Sequence, residues 1–187
     1  NRFAQWNLQT ALEILDWLRD VAPERAATLI EQLDLNAERL THWRDVIERM
    51  HLHVSETGLI EQFDGYFKRQ EVDLAALEPR TKSVQEIFGI EGCNQTQILK
   101  QPDVLMLQFL LRDHYTEDQI RTNYAYYNAR TDHTYGSSLG PSIQAIVACM
   151  MGHPDDAYEH FIRAVRADLR DVRGNARDGI HAASAGG

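Results

Sequence analysis

Apolar residues recur at three- and four-residue steps along most of this chain, and the rhythm breaks at proline, glycine and capping residues. Phe3, Trp6, Leu8, Leu12, Leu15 and Leu18 predict a first helix that ends before Pro23. Pro23 suits the first turn of a second helix to about Leu33, with Ala26, Leu29, Ile30 and Leu33 inward. Asn36 is placed to cap a third helix to about Met50, with Leu40, Trp43, Val46, Ile47 and Met50 on one side. The period then fails over residues 54–67, where Gly58, Gly65 and clustered aromatics predict a loop or short hairpin. Residues 72–82 read as a connection with one weak turn.

Helical spacing returns over residues 84–88 and again around Ile98 and Leu99. The most apolar helix starts after Gln101, with Pro102 in its first position and Asp103 near its positive end. It should run through Arg112 and be buried on every side. Thr116 and Gln119 make a capping-box pattern for a helix to about Asn128. Pro141 is expected to open a helix from Ser142 to Met151 that stops at Gly152. Pro154 opens the last, with Ala157, Phe161, Val165 and Leu169 inward. About eight helices with two long connections, 54–82 and 130–140, suit an all-α toroid of helix pairs. A four-helix bundle would use short, uniform loops.

Composition narrows the function. The 187 residues carry a formal charge of −9, which argues against sequence-independent nucleic-acid binding and against an acidic membrane surface. The apolar run 104–111 is too short to span a bilayer, and no secretory signal opens the chain. Cys93 and Cys149 form no framework and read as reduced and buried, so the expected setting is cytoplasmic. Both ends look cut: Asn1 leads straight into a helix, and Gly187 closes the chain within a glycine-rich turn.

Two polar segments carry the chemistry. One is Tyr135-Gly136-Ser137-Ser138-Leu139-Gly140-Pro141-Ser142, and the other runs from Gly179 to Gly187 with His181, Ser184 and Gly186. Each offers hydroxyls and accessible backbone N–H groups beside a helix, which suits an anion such as phosphate. Lys100-Gln101 before the apolar helix adds a polar pair. Plainer readings stand beside these. Ser137-Ser138 can be a helix-capping turn, 179–187 a frayed tail, Lys100 a solvated lysine and Gln101 an N-cap. His51 and His53 lack a third metal ligand nearby in sequence. Trp6, Trp17 and Trp43 read as core rather than sugar platforms.

Lys100-Gln101-Pro102-Asp103-Val104, Arg130-Thr131-Asp132-His133, Gly136-Ser137-Ser138-Leu139 and Asp178-Gly179-Ile180-His181 with Ser184 and Gly186 stand in an order that resembles glycoside hydrolase family 65. The resemblance is to the C-terminal part of its (α/α)6 catalytic barrel, and it covers residues 1–187. The segment from Gly58 to Phe67 looks like one of that barrel's internal loops. The resemblance implies inverting phosphorolysis of an α-glucoside, with Lys100 and Gln101 on sugar hydroxyls. Ser137, Ser138, His181 and Ser184 would contact phosphate, and Gly179 and Gly186 would let the backbone approach. Pro102 stands where the family usually has alanine. The family's general-acid glutamate is expected upstream of Asn1, so these residues alone hold no catalytic acid. The resemblance implies no metal and no cofactor beyond phosphate as co-substrate, with the remainder of the barrel as partner and a possible homodimer. The Thr134-to-Pro141 wording leans toward kojibiose or glucosylglycerol as substrate. A trehalose-type hydrolase on the same barrel and a non-catalytic helical scaffold are the alternatives.

Overall fold

A computed structural model describes residues 1–171, 174 and 176–182. Among them are eight α-helices and no strand. They are α1 (Arg2–Val21), α2 (Pro23–Gln32), α3 (Ala37–Arg49), α4 (Val84–Asn94), α5 (Asp103–Leu110), α6 (Glu117–Asn128), α7 (Leu139–Met150) and α8 (Pro154–Leu169). Two compact units divide the chain, Asn1–Leu52 and His53–Gly187.

In the first unit α1 packs on α2 and α3 around Leu15, Ala26 and Leu40. The Asn36 side chain accepts the Arg39 amide at 2.9 Å, the cap its position predicts. Gln5 donates to the Ile47 carbonyl at 2.9 Å and so ties α1 to α3. The tryptophans depart from expectation. Trp17 is 59% exposed, Trp6 is also exposed and Trp43 is only half-buried, because two short neighbours leave one side of α1 uncovered within this unit.

The second unit begins with a tight reversal in which Val54 pairs antiparallel with Ile60, in line with the expected hairpin. Asn123 of α6 holds this turn from inside: its side chain accepts the Ile60 amide at 2.9 Å and donates to the Gly58 carbonyl at 2.9 Å. The core gathers Tyr66, Leu105, Tyr127, Ile143 and Val147. Both tyrosine hydroxyls reach backbone carbonyls, Tyr66 that of Gln97 at 2.7 Å and Tyr127 that of Ile60. Burial pushes both hydroxyls far above the usual phenol range. Capping boxes close at Ser83/Glu86 on α4 and Thr116/Gln119 on α6. Helix α4 breaks at Gly89, where φ is +71°.

Several expectations need correction. Ile98 and Leu99 are not helical; Leu99 pairs in parallel with Thr131, because an extended rung there satisfies its backbone across two loops. Helix α5 ends at Leu110, which is exposed, so it is not buried all round. Helix α7 starts two residues before Pro141, whose ring fits a first turn that lacks amide partners anyway. On α8 the buried residues are Ala157, His160 and Ala164, the two alanines small enough to let α7 approach, whereas Phe161 is 51% and Leu169 79% exposed. With Ile146, Met150, Val165 and Ile180 they border an apolar hollow of about 920 Å³. Cys149 is exposed and Cys93 half-buried; neither is a core residue, and burial raises the Cys93 thiol. None of the described helices is long and apolar enough to cross a membrane.

Candidate functional site

Helices α5 and α7 lie side by side, and their N-terminal ends meet. Short rungs bring them there. The Leu99 amide donates to the Arg130 carbonyl (2.8 Å), Asp132 donates back to Leu99 (2.8 Å), and Ser137 donates to the Lys100 carbonyl (2.9 Å). A methyl on Gly136 would fall 2.0 Å from the Asp132 carbonyl oxygen and 2.9 Å from that of Lys100. Only glycine fits. A Cβ on Gly140 would touch the Pro102 ring at 3.6 Å. Lys100 and Gln101, both exposed, thus stand beside Ser137 and Ser138 at two converging positive helix ends.

The two serines differ. Ser137 Oγ accepts the Leu139 amide at 3.2 Å, so the plain capping role is present there. Ser138, at the N-cap of α7, makes no capping bond with its side chain. It lines a hollow of about 270 Å³ with His133, Thr134, Pro141, Arg163, Arg166 and Ala167. The residue after Ala167 is Asp168, and its carboxylate holds His181: Oδ2 accepts the His181 amide at 2.7 Å and Oδ1 meets Nδ1 at 2.5 Å. His181 draws the Asp168 carboxyl below its ordinary range. Gly179 turns the chain at φ +127°, a conformation side chains rarely adopt. Ser138 thus faces Arg163, Arg166 and Ala167 of α8, whereas Asp168, which holds His181, borders the separate apolar hollow with Ile180; the Ser137 amide bonds the Lys100 carbonyl directly. Ser184 and Gly186 lie outside the described residues.

Beneath this turn lies a network that sequence reasoning did not find. Arg80 donates to Asp132 with both terminal nitrogens and to Glu78 Oε1 with Nε (2.8 Å). The Arg80 and Asp132 side chains are 5% and 2% exposed. Asp132 Oδ1 also accepts the Thr134 and Tyr135 amides at 3.0 and 2.9 Å. The Tyr135 ring stacks under the guanidinium at 5.2 Å. Arg80 holds the Glu78 carboxyl below its ordinary range. The two charges are 52 positions apart, and nothing local marks them as partners; only Asp132 carried a signal, as a member of a motif.

Behind Ser138, the His133 ring packs against that of His160, with centroids 4.9 Å apart and planes tilted by 49°. Burial pushes both down, His160 to about 4, and neighbouring Arg163 adds to the effect on each. Elsewhere, the 53–61 rung brings Glu61 and Asp64 to His53, with ligand atoms within 4.8 Å of one another. His53 therefore has acidic neighbours that its sequence spacing did not reveal, and His51 is not one of the group.

The model of the glycosyl hydrolase family 65 central catalytic domain matches residues 1–187. Kojibiose phosphorylase of Caldanaerobacter subterraneus subsp. tengcongensis is 36% identical over all of this chain and 24% of its own length. The α,α-trehalose phosphorylase of Thermoanaerobacter brockii is 34% identical, also over 100% of this chain and 24% of the relative. A solved human-microbiome protein, provisionally named kojibiose phosphorylase, superposes with a TM-score of 0.81 at 30% identity. It covers 96% of this chain and 25% of its own. The chain thus spans about a quarter of the length of the relatives it matches, and its helices are those of an all-α part of an (α/α)6 barrel.

Proposed function

The chain belongs to the glycosyl hydrolase family 65 central catalytic domain, and from that membership we propose that the whole protein is an inverting disaccharide phosphorylase. It would use inorganic phosphate to cleave an α-glucosidic bond and release β-glucose 1-phosphate. The observation that carries this reading is the direct bond from the Ser137 amide to the Lys100 carbonyl across Gly136. That bond joins Lys100, a residue the resemblance gives to sugar, to Ser137, one it gives to phosphate.

The chemistry follows from what each group can do. A phosphate oxygen attacks the anomeric carbon from the face opposite the glycosidic oxygen. The carbon–oxygen bond to the acceptor sugar breaks as that oxygen takes a proton from a carboxylic acid, which the resemblance puts upstream of Asn1. Phosphate is anionic at neutral pH, so no base is needed to activate it, and orientation becomes the protein's main contribution. Ser137, Ser138 and Ser184 would orient the anion as hydroxyl donors, and His181 would contact it beside them. Lys100 and Gln101 would fix the glucosyl hydroxyls, and Gly179 and Gly186 would admit the backbone to the phosphate. This scheme uses neither a metal nor an organic cofactor. The Thr134-to-Pro141 wording leans toward kojibiose or glucosylglycerol as substrate, and two of the relatives compared above bear the kojibiose name, the solved one provisionally.

The test is phosphate-dependent formation of glucose 1-phosphate by the full-length protein from kojibiose, trehalose, nigerose, maltose and glucosylglycerol. Glucose released at the same rate without phosphate would make the protein a hydrolase.

A further inference from the structure

Arg80 sits in an irregular segment, yet its side chain is 5% exposed. Burying a guanidinium costs several kcal/mol unless partners answer it closely, and pairs of this kind are better read as fixing geometry than as adding stability. Its partners define the geometry in question. Asp132 takes both terminal nitrogens of Arg80 and, on Oδ1, the amides of Thr134 and Tyr135. The same residue's backbone accepts the Gly136 amide at 3.0 Å and donates to Leu99. One step further on, Ser137 reaches Lys100. Tyr135 closes the loop by stacking on the guanidinium and donating its hydroxyl to the Arg80 carbonyl at 3.4 Å. Thr134 adds a bond to Glu78 at 3.0 Å.

We propose that Arg80, acting through Asp132, is a positioning residue for the phosphate-binding turn Gly136-Ser137-Ser138. The inference rests on the phosphorylase reading above. Two carboxylates already neutralise the guanidinium, so its effect on phosphate comes through the shape of the turn and not through its charge. Without Arg80 the Asp132 carboxylate stays buried on two amides alone and has reason to swing outward. The Thr134 and Tyr135 amides would move with it, and the serines after them. Lysine cannot replace the planar two-point contact.

The experiment is steady-state kinetics on the full-length protein, varying phosphate and disaccharide separately, with the thermal midpoint of each variant recorded. Arg80→Gln and Asp132→Asn are expected to raise the KM for phosphate by about tenfold or more, since an ångström of misplacement carries penalties of that order. The KM for the disaccharide should change less than about twofold, and Arg80→Lys should not restore the phosphate value. Asp132→Asn keeps an acceptor oxygen for the two amides, so it is the milder variant if Arg80→Gln does not fold. An unchanged phosphate KM in the folded variants, or both KM values rising together, overturns the inference. Ser138→Ala in the same panel separates the failures. If it leaves the phosphate KM untouched, the phosphorylase reading of the site is wrong. If it raises that KM while Arg80 and Asp132 variants do not, only the positioning role falls.

Discussion

Asp168 grips His181 twice, taking its backbone amide on one carboxylate oxygen and its ring Nδ1 on the other. A ring fixed at Nδ1 by a carboxylate has its orientation and tautomer set, as second partners do for histidines that serve a site. His181→Ala should weaken phosphate binding by the full-length protein at least tenfold in a calorimetric titration, because a positioned hydrogen bond to a charged group contributes about 1.5–3 kcal/mol. Asp168→Asn should weaken it less, by about threefold, since the amide keeps one acceptor for the ring. Equal phosphate affinity in wild type and His181→Ala would remove His181 from the site.

Gly136 is the tightest point of the turn. Gly136→Ala puts a methyl 2.0 Å from the Asp132 carbonyl oxygen, and both neighbours are backbone, which cannot swing aside. Overpacking of this type costs about 1–3 kcal/mol. The expected outcome is a lowered denaturation midpoint together with loss of phosphate-dependent turnover; normal activity would show that the turn relaxes without harm.

Stability should fall in mild acid. His133 and His160 are held below the ordinary histidine value by burial, by each other's proximity for His160, and by Arg163, with Asp132, Asp156 and the Asn128 carbonyl opposing. The unfolded chain therefore binds protons near pH 6.5 that the folded chain takes up only at lower pH, about 4 for His160. The stabilisation is fully present above pH 6.5 and is lost as pH drops toward 4, by up to about 3 kcal/mol for His160. Urea midpoints measured across that range should slope upward with pH for the wild type. The slope should shrink in His160→Gln.

Tyr127→Phe removes the hydroxyl that answers the Ile60 carbonyl in a fully buried spot. Leaving that carbonyl without its partner should cost about 1–3 kcal/mol. Because Tyr127 packs under the 54–60 reversal and not at the serine turn, the KM for phosphate should hold while the denaturation midpoint drops.

Sequence alone revealed most of the helices, because their ends are written locally. Asn36, Thr116 and Pro154 start helices within a residue of where their chemistry puts them. The serines and Lys100 were legible as chemistry, though their adjacency depended on the Leu99–Thr131 rung, and two apolar residues in a row read equally well as helix. The side of α8 that faces α7 was misjudged for a different reason. Close helix contact selects small residues, so Ala157 and Ala164 went inside while the larger Phe161 and Val165 flank the contact. The pairing of Arg80 with Asp132 left no local trace, although Asp132 stood in a motif, since opposite charges 52 positions apart are common in any charged chain.

The oily seam along α8 sets how these 187 residues behave in a tube. Phe161, Val165, Leu169 and Ile180 give water a broad surface it will try to shed. A recombinant product of this length should clump in a concentration-dependent way while its helices remain intact by circular dichroism. Its shelf life will be governed by what that seam touches, not by how tightly any helix is wound.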